Sequence, residues 1–396
     1  MDRTLIDLLL LQGGFNTTLV TVGAALLGAG AGVIGAFTLL RRQALISDAI
    51  SHATLPGVAL GFLASLALFG DGRIAWMLML GALATGGLGI LATQWIRDHT
   101  RLREDAAIGT VLSVFFGLGI VLLSHIQTLK SGGQAGLEAF LLGSTAAMTT
   151  SEAWLIAGGS AVVVLATLAM LKEFAAVCFD ADHARALGWP VAKIDLAMTF
   201  LLLAVLSVGL KTVGLILIIA LVIIPPVTAR FWTERLGKMV ALSGVFGAVA
   251  CYFGAALSAS APALPTGSLV VLTAAAMFSV SLLLAPARGL VAHGIRLTRF
   301  RRRLMLRQAL LRLDQGEPMV PRAMRRLIRL GVLDPEGAPT AFGRAMARDA
   351  SHDHLLWTRY LARHPDEAFA VTGWGTRPIT EVLSPDQVDA LEAIEQ

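Results

Sequence analysis

The chain has 396 residues, 56% of them hydrophobic and only 15% charged, with a mean hydropathy of +0.72. So little charge cannot cover a water-soluble surface of this size, which excludes a soluble enzyme and points to an integral membrane protein. Two cysteines, Cys178 and Cys251, are too few for a disulfide framework or a cysteine zinc site, and the formal charge of +5 is uneven: 17 of the 32 Lys and Arg lie after residue 287, all of them arginine.

The chain opens with "MDRTLIDLLLLQGG", which carries Asp2 and Asp7 and lacks a small-residue cleavage site, so a cleaved signal peptide is not expected. Uncharged runs long enough to cross about 30 Å of hydrocarbon follow at 16–40, 53–70, 74–96, 106–124, 153–171, 191–210, 213–229, 239–258 and 267–287, nine in all. Lys193 and Asp195 stand near the start of the sixth, so its crossing part is expected to be shorter than the run. Forty glycines suit helices packed closely within a membrane. Basic residues orient the set. Arg41 and Arg42 follow the first span, Arg97, Arg101 and Arg103 the third, Lys172 and Arg185 the fifth, and Arg230, Arg235 and Lys238 the seventh. The alternate connections hold only Arg73, Lys130 and Lys211. Positive residues favour the cytoplasmic side, which predicts an outside N-terminus and a cytoplasmic C-terminus, the parity that nine spans require.

Ahead of the second span, "LISDAISHATLPG" sets Asp48 and His52 four residues apart. On a helix entering from Arg42, Asp48 lies about 9 Å and His52 about 15 Å along the axis, and groups at i,i+4 share one face. A carboxylate and an imidazole can then converge on one ion of the manganese, iron or zinc type. The alternative is an interfacial Asp48 and a packing His52. The pair supplies only two ligands, so any metal site needs others from a second helix or subunit. Pro56 and Gly57 follow at once and are expected to kink or open the helix. His125, at an outer helix end, reads as interfacial, and Lys211 as a side chain reaching for headgroups.

Four stretches, in order, are similar to those of the membrane subunits of manganese/zinc/iron ABC importers: "GAFTLLRRQALISDAISHATLPG" (35–57), "REDAAIG" (103–109), "KTVGLILIIALVIIPPVTAR" (211–230) and "LPTGSLVVL" (264–272). The resemblance implies an all-α polytopic membrane protein with the type II ABC importer permease fold over residues 1–287. It also implies a second permease subunit, identical or related, around a central path. Cytoplasmic ATPase subunits would drive transport, and an extracellular or periplasmic metal-binding protein would deliver the ion. On this resemblance Asp48 and His52 belong to the metal path, the divalent ion being cargo and not a resident cofactor. Within "KEFAAVCFDADHARALGWP", Asp180, Ala184 and Gly188 match the spacing of the family's ATPase-coupling loop, where small residues would let the loop seat in a partner's groove. His183 there reads as an exposed residue of a docking loop. Pro226 stands where the family usually has alanine, and Pro225 with Pro226 is expected to sharpen a helix break near the path. No Gly-x-x-x-x-Gly-Lys-Ser/Thr occurs, so ATP hydrolysis is expected on a partner.

From Arg288 the composition changes. "RLTRFRRRLMLRQALLRL" is basic with helical apolar spacing, which suits a connector helix (288–318) beside anionic membrane lipid. In "PRAMRRLIRLGVL", Met324, Leu327 and Ile328 share a face while Arg322, Arg325, Arg326 and Arg329 lie elsewhere, and "DPEGAPTAFGRAMA" adds a turn, a strand-like step and a helix. That order predicts a cytoplasmic α/β winged-helix-like domain over 319–396. "APTAFGRAMARDASHDHLLWTRYLARHPD" and "ITEVLSPDQVDALE" resemble the diphtheria-toxin-repressor-like metalloregulators. If His354 aligns with their histidine ligand, Thr358 replaces a glutamate ligand, and Thr380 and Glu381 replace their Glu-His. Most of the regulators' ligands are therefore missing. DNA binding by the tail is not expected; docking on the ATPases or on a symmetry mate is.

The expected function is the membrane permease subunit of an ATP-driven importer of divalent transition metal ions, manganese first, with zinc or iron possible. It is not expected to be an enzyme. The alternatives are a type II importer subunit for metal chelates such as siderophores or cobalamin, and a membrane-anchored winged-helix regulator.

Overall fold

The computed structural model describes residues 7, 9–12, 14–41, 44–70, 72, 74–128, 149–212, 214–260, 264–365 and 377–393. They fall into two units, Met1–Leu290 and Val291–Gln396. Asp2, Arg42, Arg73 and Lys130 lie outside the described residues, as does the side chain of Lys211.

In the first unit the described helices are α1 (Phe15–Leu40), α2 (Ala44–Phe69), α3 (Ala75–His99), α4 (Glu104–Thr128), α5 (Thr150–Ala169), α6 (Leu171–Phe179), α7 (Ala181–Ala186), α8 (Val191–Thr212), α9 (Leu215–Trp232), α10 (Leu236–Ala259) and α11 (Thr266–Leu284). Eight of them, all but α6, α7 and α9, are long and apolar enough to cross a membrane, and α9 is a shorter apolar helix. At 18 residues it extends about 27 Å, close to the hydrocarbon thickness. The nine expected spans are thus nine helices. One differs at its start: α2 begins at Ala44, well ahead of the apolar run at 53. Polar side chains lower hydropathy there, but the backbone ladder is indifferent to them. Ser51 Oγ donates to the Ser47 carbonyl at 2.8 Å and Thr54 Oγ1 to the Ser51 carbonyl at 2.6 Å, so these buried hydroxyls are satisfied on their own helix. α5 starts where Thr149 and Glu152 form a reciprocal capping box.

α1 is the central helix, packed on α10, α5, α9 and α8. Its seam with α10 is backbone against backbone: a Cβ on Gly28 would strike the Gly247 carbonyl, and the reverse holds. Ser243 Oγ donates to the Gly32 carbonyl at 2.6 Å on the same seam. α2 lies between α3 and α4 and meets α3 through the reciprocal pair Gly57 and Gly81. α8 touches α1, α3 and α5, joining one apolar core around Leu27, Phe37, Leu203 and Leu206 to a smaller one around Leu55, Phe62 and Ile126. Outward faces stay apolar, with Leu88, Val121, Leu165 and Leu272 exposed, as helices solvated by lipid require.

The prolines do not interrupt their helices. α2 runs through Pro56 and Gly57, and α9 through Pro225 and Pro226. Each proline removes an N–H and frees the carbonyl four residues back. A neighbouring glycine covers the gap in both cases: Gly119 of α4 lies against Pro56, and Gly35 of α1 against the Val222 carbonyl and Pro226. The expected breaks are therefore closely packed sites within continuous helices.

The second unit contains α12 (Leu290–Asp314, which starts at the boundary), α13 (Pro321–Arg329), α14 (Ala341–Arg363), a short 3₁₀ turn (Ile379–Glu381) and α15 (Pro385–Glu392). The expected α/β winged-helix domain is corrected here. Among the described residues the tail has no strand, only one isolated antiparallel bridge between Leu333 and Pro339. Pro335 and Pro339 lack the N–H groups that would extend a ladder. Asp334 closes the loop instead, its Oδ1 accepting from Ala338 N at 2.7 Å and its carbonyl from Gly337 N at 3.0 Å.

Asp353 of α14 holds the tail together, with Oδ2 2.8 Å from Arg307 Nη2 and Oδ1 accepting from the Ile379 N–H. Trp357 is 3% exposed and donates its indole N–H to the Arg377 carbonyl at 3.1 Å. Trp357→Ala is expected to cost the tail about 3 kcal/mol or more, read as faster hydrogen exchange of α14 and α15 amides in the full chain.

Candidate metal path and coupling segment

Asp48 and His52 lie one turn apart on α2, with Asp48 Oδ1 3.4 Å from His52 Nε2. Their side chains are 40% and 21% exposed, although the residues beside them, Ser47, Ala49, Ile50 and Ser51, are buried. The pair thus occupies the one stripe of this turn that its own chain leaves uncovered. Phe116 of α4 meets the His52 ring edge-on, with centroids 4.8 Å apart. His52 Nδ1 is enclosed and has no hydrogen-bond partner among the described residues. The open side thus presents a carboxylate oxygen and an imidazole nitrogen together. Among the described residues, no group of three or more His, Cys, Asp or Glu is gathered tightly enough to hold a metal ion. Among the described residues, Asp48 and His52 thus have no third such side chain gathered beside them. His125 sits in the last turn of α4.

The three residues singled out in the coupling loop turn out to build it. Asp180 is the N-cap of α7, its carboxylate accepting from His183 N at 2.8 Å. Gly188 ends the segment with φ +81°, a conformation that favours glycine. Ala184 is 2% exposed and packs into its own chain's core. It does not supply the small docking surface expected of it. What faces outward is Phe179, Asp182, His183, Arg185 and Leu187, with Arg185 Nη1 2.6 Å from Asp182 Oδ1. An α-helix of this length presents Asp182 and Arg185 on the side opposite Ala184, which no spacing argument had identified.

Sequence reasoning also missed an ion-pair cluster at the same end of the bundle. Asp195, 5% exposed near the start of α8, accepts on Oδ1 from Arg41 Nε at 3.2 Å and Nη2 at 2.9 Å. Its Oδ2 lies 3.7 Å from Arg97 Nη1 at the end of α3. Arg41, the C-cap of α1, also donates from Nη1 to the Val177 carbonyl of α6 at 3.3 Å. The cluster borders a polar cleft of about 560 Å³ lined also by Asp98, Arg185 and Lys193. The available signal was a carboxylate at the start of an apolar run; its partners lie far away in sequence.

Burial pushes the Cys178 thiol, beside this cluster on α6, up from 9.0 to about 12, with the Arg41 charge opposing and Asp195 reinforcing. Thiolate content at a given pH falls about tenfold per unit. Maleimide at neutral pH is therefore expected to leave Cys178 unmodified, and Cys251, fully buried, likewise. Intact-mass measurement before and after treatment checks this.

Residues 16–285 match the profile of the ABC 3 transport family. The chain is similar to the manganese transport system membrane protein MntC of Bacillus subtilis, 44% identical over 296 residues, which cover 75% of this chain and 67% of that one. It is 37% identical over 272 residues to the zinc transport system membrane protein TroC of Treponema pallidum, covering 69% and 90%. Among solved structures it resembles PsaBC from Streptococcus pneumoniae in complex with Fab, with a TM-score of 0.63 at 31% identity over 74% of this chain and 98% of that one. The family match ends before α12.

Proposed function

The chain belongs to the ABC 3 transport family, and from that premise we propose that it is the membrane-spanning permease subunit of an ATP-driven importer of divalent transition metal ions. Manganese is the proposed cargo, with zinc and iron as the other candidates. The observation that carries this reading is the 44% identity to a manganese transport system membrane protein across 75% of the chain.

Asp48 and His52 are the cargo-binding groups of this chain. A carboxylate with an imidazole suits borderline divalent ions, and the open side of the pair leaves room for ligands from a second permease subunit or from water. ATP is hydrolysed on partner subunits in the cytoplasm, which grip the outward face of α7. An extracellular or periplasmic binding protein delivers the ion. Arg41, Arg97, Arg185 and Lys193, from four different segments, border one cleft, which supports assigning that end to the cytoplasm. The N-terminus is then outside and the tail inside, in a bacterial cytoplasmic membrane. α12 keeps Leu297, Phe300 and Leu304 exposed among its arginines, a surface suited to anionic lipid.

The test is ion uptake into liposomes holding this chain with its ATPase subunit and binding protein. Manganese accumulation that needs ATP hydrolysis is the expected result. Uptake of a siderophore or cobalamin with no uptake of bare ions would overturn the assignment.

A further inference from the structure

Resting on the permease reading, we infer that Asp195 is the positioning residue of a joint that passes motion from the coupling segment to the helix carrying Asp48 and His52. Three observations converge on it. α6, which leads straight into α7, is fastened to the end of α1 twice: Phe174 meets Phe37 edge-on with centroids 5.3 Å apart, and the Val177 carbonyl accepts from Arg41. Both phenylalanines are fully buried. Arg41 ends α1, and α2 packs on α3 and α8, the two helices to which Arg41 is tied through Asp195. Finally, the Arg41 guanidinium is held from the other side by the buried Asp195 of α8, which the Arg97 side chain of α3 also approaches.

The charge arithmetic makes this joint directional. Asp195 is the carboxylate that both guanidiniums share, although Arg97 also contacts Asp98 at 3.1 Å. A buried carboxylate between two guanidiniums is strongly held, and the loss of one partner leaves the others uncompensated. Arg41 therefore moves with α8 and α3 as well as with α6. Packed elements joined in this way shift between discrete arrangements and do not deform gradually. Pressure on α7 then turns α1's end, α8 and the start of α2 together. Without Asp195, Arg41 can follow α6 alone, while α8 and α3, against which α2 packs, stay behind.

The experiment uses the complete chain with its ATPase subunit in liposomes, comparing wild type with Asp195→Asn. The ATP consumed per manganese ion imported is expected to rise about fivefold or more, the low end of what one coupling contact carries, while ATP hydrolysis and co-purification of the ATPase persist. A second readout is independent of cargo. Spin labels at Leu60→Cys on α2 and Val245→Cys on α10, both exposed in the parent chain, report their separation with and without ATP. Wild type is expected to shift and Asp195→Asn to stay in place. If Asp195→Asn fails to fold, Arg97→Gln, with its longer contact, is expected to show the same change at about half the size or less. An Asp195→Asn chain that shifts with ATP as wild type does overturns the inference, and so does one that merely loses the ATPase subunit. A wild-type complex that shifts with ATP but imports no metal ion would sink the cargo assignment and leave the joint standing.

Discussion

Replacing Asp48 with asparagine, or His52 with glutamine, is expected to lower ATP-driven manganese uptake about a hundredfold or more, since changing even an outer-shell partner of a metal ligand costs about 10–100-fold. Each substitution roughly preserves size and replaces the carboxylate or imidazole by a neutral amide, a weaker ligand. The fold should survive, because both side chains are partly exposed and neither belongs to an apolar core. ATP hydrolysis by the assembled complex should continue, which separates a lost ion from a lost assembly. The measurement is radioactive manganese uptake into proteoliposomes at saturating ATP, with ATPase rate and elution profile as controls. Uptake at the wild-type rate by both variants would remove the pair from the path.

Gly57→Leu is expected to do more general damage, at about 3 kcal/mol or more, the upper end for overpacking a tight site. Its Cβ would collide with the Gly81 carbonyl and the Thr85 hydroxyl. The carbonyl is backbone in the middle of α3, itself fitted to Gly57 by the absence of a side chain at Gly81. No rotamer relieves that contact, so α2 and α3 must separate. The space lost by α2 is paid out along its other side, where Gly119 of α4 is already against Leu55 and Pro56. Expression of the variant in membranes, followed by thermal unfolding in detergent, gives the result: little folded chain, and a lowered midpoint for what remains. A variant as stable as wild type would mean that the α2–α3 approach is looser than its geometry.

The spans were legible in the sequence because lipid demands uninterrupted apolar length, and a charge count along the chain measures that directly. Helix ends were less so. Ser47, Asp48, Ser51 and His52 hide the first turns of α2 from hydropathy, yet the Ser51 and Thr54 hydroxyls bond within the helix and leave it intact. The Asp48–His52 pairing was legible because it is local, four residues on one helix. Asp195 shows the converse. Its charge was visible near the start of a span, but Arg41 and Arg97 reach it from other helices, and pairing at such separations is a product of packing that no single-chain spacing encodes. Proline was read as a lost donor and a kink or break; the helices run on through Pro56, Pro225 and Pro226, and Gly35 and Gly119, which pack against Pro226 and Pro56, lie on other helices. In the tail the periodicity of α13 was legible, while Pro335 and Pro339 kept the expected wing from becoming a sheet.

The capped construction of α7 has a kinetic consequence. With Asp180 bonded at one end, Gly188 turning the chain at the other and Ala184 sunk beneath, the segment is already in a single shape before any partner arrives. A subunit that recognises it loses little ordering entropy on contact and has no folding step to wait for. Its association rate would then be set by orientation and, because Asp182 and Arg185 neutralise each other, should change little with added salt, while the lifetime of such a complex would depend on Phe179 and Leu187.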